Sequence, residues 1–304
     1  MKLETNLMQV VAKYNTDDKC RETLAHLRWP DKVTCLKCKA ENVAPVHERK
    51  VYVCYSCRYQ FSATVNTIFH DSHLPLTTWF FVTYLMTESR KGISANQISR
   101  MLGISYKTSW YLCHRIRKAM AEADGHKLTG TVEIDETYIG GKQKGNKGKL
   151  KHKAPVIGIR ERGGHLHFIR ANEINQETVY NIIARNVDKT VDVIMTDESK
   201  VYNFELTQFY RAKHKRVLHK ADEYVRYERG MCVSTNTVES AFSLFKRGIV
   251  GAWHKVSVKH LQAYLQEMTW RFNNRKNPYL FRDTLQKLIA SNNIEYKQLT
   301  KDAA

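Results

Sequence analysis

Three acidic positions lie where a charged side chain is costly. Asp135 interrupts the apolar run TVEIDETYIG, Asp197 ends VDVIMTDES, and Glu239 shares TNTVESAFSLFK with Lys246. Carboxylates held side by side on buried strands repel one another unless a cation neutralises them. Hard divalent ions such as Mg2+ or Mn2+ take carboxylate oxygens and keep some of their water. Two such ions, about 4 Å apart, activate an attacking oxygen and stabilise a leaving one in phosphoryl transfer. Asp135 and Asp197 are therefore candidate ligands, and Glu239 is the candidate third carboxylate, supplied by a helix. Glu239 and Lys246 are two helical turns apart and share a face. Along the strand, Val132, Ile134 and Glu136 fall on one side and Glu133, Asp135 and Thr137 on the other. Phase alone thus leaves Glu133 in competition with Asp135, and Glu198 stands beside Asp197.

A second chemistry comes from cysteine. The chain has seven, and Cys35, Cys38, Cys54 and Cys57 form two C-x2-C pairs. Four thiolates on two knuckles close a tetrahedral shell around Zn2+ and leave no position for water, so the site reads as structural. A segment this short buries too little core to fold alone, and the metal would supply much of its folding energy. His47, in the loop between the pairs, is a poor fourth partner. Arg49, Lys50, Arg58, Tyr52, Tyr55 and Tyr59 suit either DNA contact or a solvated ribbon surface.

The segment ISANQISRMLGISYKTSWYLCHRIRKAM divides at Gly103. Ser105 is placed to cap a second helix, and the short glycine-containing break matches a helix-turn-helix. In that geometry the N-terminal residues of the second helix lead into the major groove. Tyr106, Lys107 and Thr108 would approach bases or phosphates, with Arg115, Arg117 and Lys118 further along.

The elements that must position these residues follow from periodicity. Residues 1–30 read as helical, 33–62 as short strands, and 77–123 as helical throughout. From Thr131 the order is strand, then the PVIGIRER/HLHFIRANEI hairpin, the helix NQETVYNIIARNV with Asn175 or Gln176 near its start, the strand VDVIMTDES, the strand RVLHK, and helices from Thr235 onward. This is an α/β multidomain chain: an N-terminal helical segment (1–30), a zinc ribbon (31–64), a helix-turn-helix domain (74–124), a mixed-sheet catalytic domain (130–275) and a C-terminal helical tail (276–304). A net charge of +19 in 304 residues favours a polyanionic partner. No apolar run approaches the roughly 18 residues of a membrane span, and no signal-peptide pattern opens the chain. A cytoplasmic, nucleoid-associated protein of a bacterial host is expected.

The stretches EIDETYIGGK, IMTDESKVYN and STNTVESAFSLFKRGIVGAWHKVSVKHLQAYLQEMTWRFNNR resemble the DDE-superfamily transposases of bacterial insertion sequences, in the subgroup with a zinc ribbon before the catalytic domain. That resemblance implies a ribonuclease-H-like fold, with acids on the first and fourth strands and on a following helix. It implies Asp135, Asp197 and Glu239 as the metal-binding triad for two Mg2+ or Mn2+ ions, beside one structural Zn2+. It implies Lys246 against a DNA backbone, Asn236 as an accessory ligand, and His254 with Lys255 near DNA ends. Tyr202 falls either against a flipped base or in the core. The expected partners are the terminal inverted repeats and target DNA, with at least a dimer assembled on them. The alternatives are a DNA-binding regulator without catalysis and a structure-specific nuclease on the same fold.

Overall fold

Polar caps punctuate the first helices. Asn6 and Thr16 accept from the amides of Gln9 and Lys19 and start α1 (Leu7–Lys13) and α2 (Asp17–Arg28), satisfying amides that a first helical turn leaves unpaired. The helical stretch expected over residues 1–30 is thus two helices. The computed structural model describes residues 6–121, 126–141, 153–202, 213–218 and 224–301. Residues 121–275 form one unit, and residues 1–120 form another together with 276–304.

In the latter unit, β1 (Val43–Val46), β2 (Val51–Cys54) and β3 (Gln60–Phe61) pair antiparallel in that order. The stretch read as helical throughout 77–123 is three helices: α3 (Leu76–Glu88), α4 (Ala95–Leu102) and α5 (Tyr106–Met120). The second break has a local cause. Gly103 takes the left-handed φ of 66° that ends α4, and Ser105 Oγ accepts the Thr108 amide at 3.1 Å to start α5.

The other unit is built on β4 (Thr131–Ile139), β5 (Ala154–Glu161), β6 (Leu166–Arg170), α6 (Gln176–Asn186, capped by Asn175), β7 (Val193–Thr196) and β8 (Lys213–Arg216). The strand expected over RVLHK lies mostly upstream of it, meeting it only at Arg216. Next come the hairpin β9 (Arg226–Glu228) and β10 (Met231–Val233), then α7 (Asn236–Gly248) and α8 (Leu261–Asn273). The sheet order is β6-β5-β4-β7-β8. The β4–β5 and β5–β6 pairs are antiparallel, whereas β4–β7 and β7–β8 are parallel. This is a mixed five-stranded sheet, with an antiparallel half and a parallel half. One face packs Val132, Ile134, Ile157 and Ile159 against Val179 and Ile183 of α6. The other packs Val156 and Phe168 against Val238, Phe242 and Phe245 of α7 and Leu265 and Met268 of α8.

The chain then rejoins the earlier unit through α9 (Leu280–Ala290) and α10 (Tyr296–Thr300). Phe281 of α9 meets Tyr14, Phe80 and Tyr84 edge-on at 5.5–6.2 Å. No helix among the described residues is long and apolar enough to cross a membrane.

One glycine sets how closely α7 approaches the sheet. Gly158 of β5 is opposite Asp135, and a Cβ there would stand 2.6 Å from Phe242 and 2.9 Å from Val238. Alanine normally favours a strand over glycine by about 0.5–1 kcal/mol, but overpacking costs about 1–3 kcal/mol. Gly158→Ala is therefore expected to destabilise the 121–275 unit, read as a lower denaturation midpoint. A rise in that midpoint would show that α7 yields freely.

Candidate active site and zinc centre

The two C-x2-C knuckles are built alike. Lys39 and Arg58, each following a knuckle, take positive φ of 63° and 59°. Their amides return to the carbonyls of Cys35 and Cys54 at 3.0 and 2.8 Å. This turns all four sulfurs inward. Cys35–Cys57 and Cys38–Cys54 Sγ pairs are 3.6 Å apart, and the four sulfurs lie within 4.8 Å of one another. A disulfide needs about 2.05 Å, whereas thiolates about 2.3 Å from a tetrahedral Zn2+ stand roughly 3.8 Å apart. The donors fit zinc. Below them Trp29, Tyr52, Tyr59 and Phe61 form a ring cluster. Of the three ribbon tyrosines that suit DNA contact, Tyr55 alone is exposed; Tyr52 and Tyr59 are half-buried.

The parallel β4–β7 pair brings two acids together. Pairing runs from Thr131↔Val193 to Glu133↔Met195 and then stops. Asp197 directly follows β7, whereas β4 continues, so Asp135 and Glu136 flank an open sheet edge. Carboxylate oxygens of Asp135, Glu136 and Asp197 lie within 4.8 Å of one another. Strand phase places Asp135 on the α7 face and Glu136 on the α6 face, but beyond the last paired residue both reach round the edge. Glu136 is the member that alternation could not reveal. Its only signal is the adjacent Asp-Glu pair where a neighbouring strand ends.

Glu133, the competitor by phase, is fully buried and bound to Arg162 at 2.6 Å, away from the cluster. Tyr202 is also fully buried and donates its hydroxyl to Glu136. It is a core residue supporting an acid, not a platform for a base.

Glu239 lies in the first turn of α7 and accepts from Thr235 Oγ1 at 2.7 Å. With Asp135 and Glu136 it lines an open cavity of about 570 Å3, to which the same helix adds Ser243, Lys246 and Arg247. The two-turn spacing of Glu239 and Lys246 thus sets an acid and a base on one cavity. Asn236 is exposed at the start of α7, outside that lining. His254, exposed, has a positive φ of 58° where a π-helical turn (Ile249–Trp253) ends.

Tyr106 and Lys107 are exposed at the head of α5, Thr108 is half-buried, and the Lys107 ammonium lies 4.9 Å from the Tyr296 ring. Arg115 departs from the expectation of a DNA contact. It is buried, faces the rings of Trp79 and Tyr111, and donates to Asn293 Oδ1 at 2.6 Å. Arg117 is buried as well, and Lys118 is exposed.

The acids carry the electrostatic mark of close packing. Burial first, then the charges of Glu136, Asp197 and Glu239, push the Asp135 carboxyl up to about 7, against a hydrogen bond from the Glu136 amide. Burial and Asp197 raise Glu136 against the Tyr202 hydroxyl. Oxygen donors that repel one another at this range suit a hard divalent cation.

Residues 127–273 match the ISXO2-like transposase domain, and residues 15–60 match the transposase zinc-ribbon domain. A Halobacterium salinarum protein described as an uncharacterized protein in transposable element ISH50 is 28% identical over 284 residues, spanning 87% of this chain and 93% of its own. Two solved structures show a weaker likeness, each at 11% identity over 69% of this chain. The simian T-cell lymphotropic virus intasome bound to PP2A regulatory subunit B56 gamma has a TM-score of 0.27 and 72% of its chain covered. The Mos1 strand transfer complex has a TM-score of 0.28 and 75% covered. Ribbon, mixed sheet and acid cluster define a DDE transposase with an N-terminal zinc ribbon. Within that class, the likeness is to the ISXO2-like transposases, over residues 127–273.

Two outcomes are expected. Purified protein should carry one zinc per chain, and its removal should open residues 33–61 to protease before the catalytic unit; unchanged digestion there would exclude a structural role. The second concerns Asp135. Its folded value of about 7 lies above an unfolded value of about 3.9. The metal-free fold therefore holds the extra proton and loses stability as pH rises from about 4 through 7. Asp135→Asn should melt above wild type at pH 8 and level with it near pH 4, and Mn2+ should raise the melting temperature of wild type more than that of the variant.

Proposed function

We propose that this protein binds the terminal inverted repeats of an insertion sequence and cuts and joins DNA at the Asp135/Asp197/Glu239 site. The observation that carries this reading is the cavity in which Asp135 and Glu136 face a helix bearing Glu239 and Lys246. Bound divalent ions would supply charge neutralisation and activation of a water or 3′-hydroxyl. Asp135, Asp197 and Glu239 would hold them, with Glu136 close enough to share or to orient a ligand. Lys246 and Arg247 would hold a phosphate backbone across the cavity, where excluded water strengthens each charge interaction. No protein nucleophile is required. Tyr106 and Lys107, exposed at the head of α5, support a helix-turn-helix that reads the repeats, and the ribbon's basic surface would add backbone contacts. Joining two ends calls for at least a dimer on DNA.

Oligonucleotides carrying the element's ends, incubated with Mg2+ and labelled target, test the reading. Cleavage and joining are expected. Glu239→Gln should lower both by at least about 100-fold while end binding persists. Binding without cleavage by wild type would indicate a regulator, and cleavage without joining a structure-specific nuclease.

A further inference from the structure

Glu133 is a charged side chain with no exposure, two residues from Asp135 on the same face of β4. Its carboxylate is fully engaged. Oε2 accepts from the Thr237 amide at 2.9 Å, the Thr237 hydroxyl at 2.7 Å and the Val238 amide at 3.1 Å. Oε1 accepts from Arg162 Nε at 2.6 Å. The same Arg162 donates to the Cys232 carbonyl at 2.5 Å and to the Ser234 carbonyl and hydroxyl at 3.1 and 2.9 Å. Arg160, paired across the strands with Glu133, donates to the Thr237 carbonyl. Glu133 of β4, Arg160 of β5 and Arg162 in the turn just past β5 therefore grip residues 232–238.

We propose that Glu133 is a positioning residue for the divalent-ion site. It acts by anchoring the first turn of α7, and so Glu239, to the strand that carries Asp135. The inference rests on the site assignment above. An anion at a helix start satisfies amides that have no partner within the helix and opposes the positive end of its dipole. The glutamate does this from within the sheet, so α7 cannot slide along β4 without breaking charge-assisted bonds in a dry environment. The distance between the carboxyls of Asp135 and Glu239 is thereby tied to the backbone spacing of residues 133 and 135. A surface cap such as Asn6 or Ser105 could stabilise a helix equally well without fixing its height over the sheet.

Glu133→Gln is nearly the same size, but it removes the charge and turns an amide N–H toward Arg162 or the helix amides. Mn2+ affinity, measured by calorimetry on folded protein, should fall about 10–100-fold. In a Glu239→Gln background the same change should cost less than about threefold, because the two residues act through one another. Val179→Ala, in the core of the opposite face, serves as a destabilised control and should leave Mn2+ affinity near wild type. Amide exchange over residues 236–241 should accelerate at least about tenfold in Glu133→Gln, with β6 unchanged. Wild-type Mn2+ affinity in folded Glu133→Gln, full additivity with Glu239→Gln, or unchanged exchange at the start of α7 would each overturn the positioning role. Absence of Mn2+ binding by wild type would instead overturn the metal site, and this role with it.

Discussion

Like charges held close in a half-buried place are the constraint around which the catalytic unit is arranged. Glu136 and Asp197 raise the cost of ionising Asp135, and Asp197 that of ionising Glu136, and nothing in their own chemistry keeps the three together. The sheet does. Parallel pairing of β4 with β7, hydrophobic packing on both faces, and the grip on the start of α7 supply the free energy that opposes the repulsion. A site of this kind stores unfavourable electrostatics that a divalent cation would relieve, and only a rigid scaffold holds such donors together without one.

One strand does most of this. Along β4, Val132 and Ile134 bury into the α6 face and Glu133 secures α7. Asp135 and Glu136 turn to the open edge where β7 has ended. Opposite Asp135, the missing side chain of Gly158 lets Phe242 and Val238 come close. Specificity of geometry thus arises from five consecutive side chains and one absent one. The zinc ribbon solves a different problem, since its small ring cluster has little area to bury and the four thiolates make up the deficit.

Much of this is legible in the sequence itself. An acid inside an apolar run stands out, so Asp135 and Asp197 declare themselves. Paired cysteines at knuckle spacing do the same. The alternation of strand and helix from Thr131 yields the succession of elements along the chain, though not the order of the strands in the sheet. What stayed hidden has physical reasons. Glu136 belongs with the acids because a neighbouring strand stops, and strand length is poorly encoded locally. Arg115 looks like any basic residue on an amphipathic helix, and only tertiary packing on Trp79 and Tyr111 reveals it as buried. The β9–β10 hairpin is short and polar; its signal was the Arg229-Gly230 turn, both residues at positive φ. The split of 77–123 into three helices was half visible in Gly103 and half masked by uniform apolar content in α3.

The return of α9 to the first unit bears on how the protein is made. Phe281 completes an aromatic cluster with Tyr14, Phe80 and Tyr84, yet it leaves the ribosome only after all of residues 121–275. The earlier-born helices must wait, with apolar surface uncovered, while the later-born sheet has every strand it needs. Vectorial synthesis therefore favours maturation of the catalytic unit ahead of the unit that begins the chain, and it makes the nascent N-terminal helices natural clients for a chaperone.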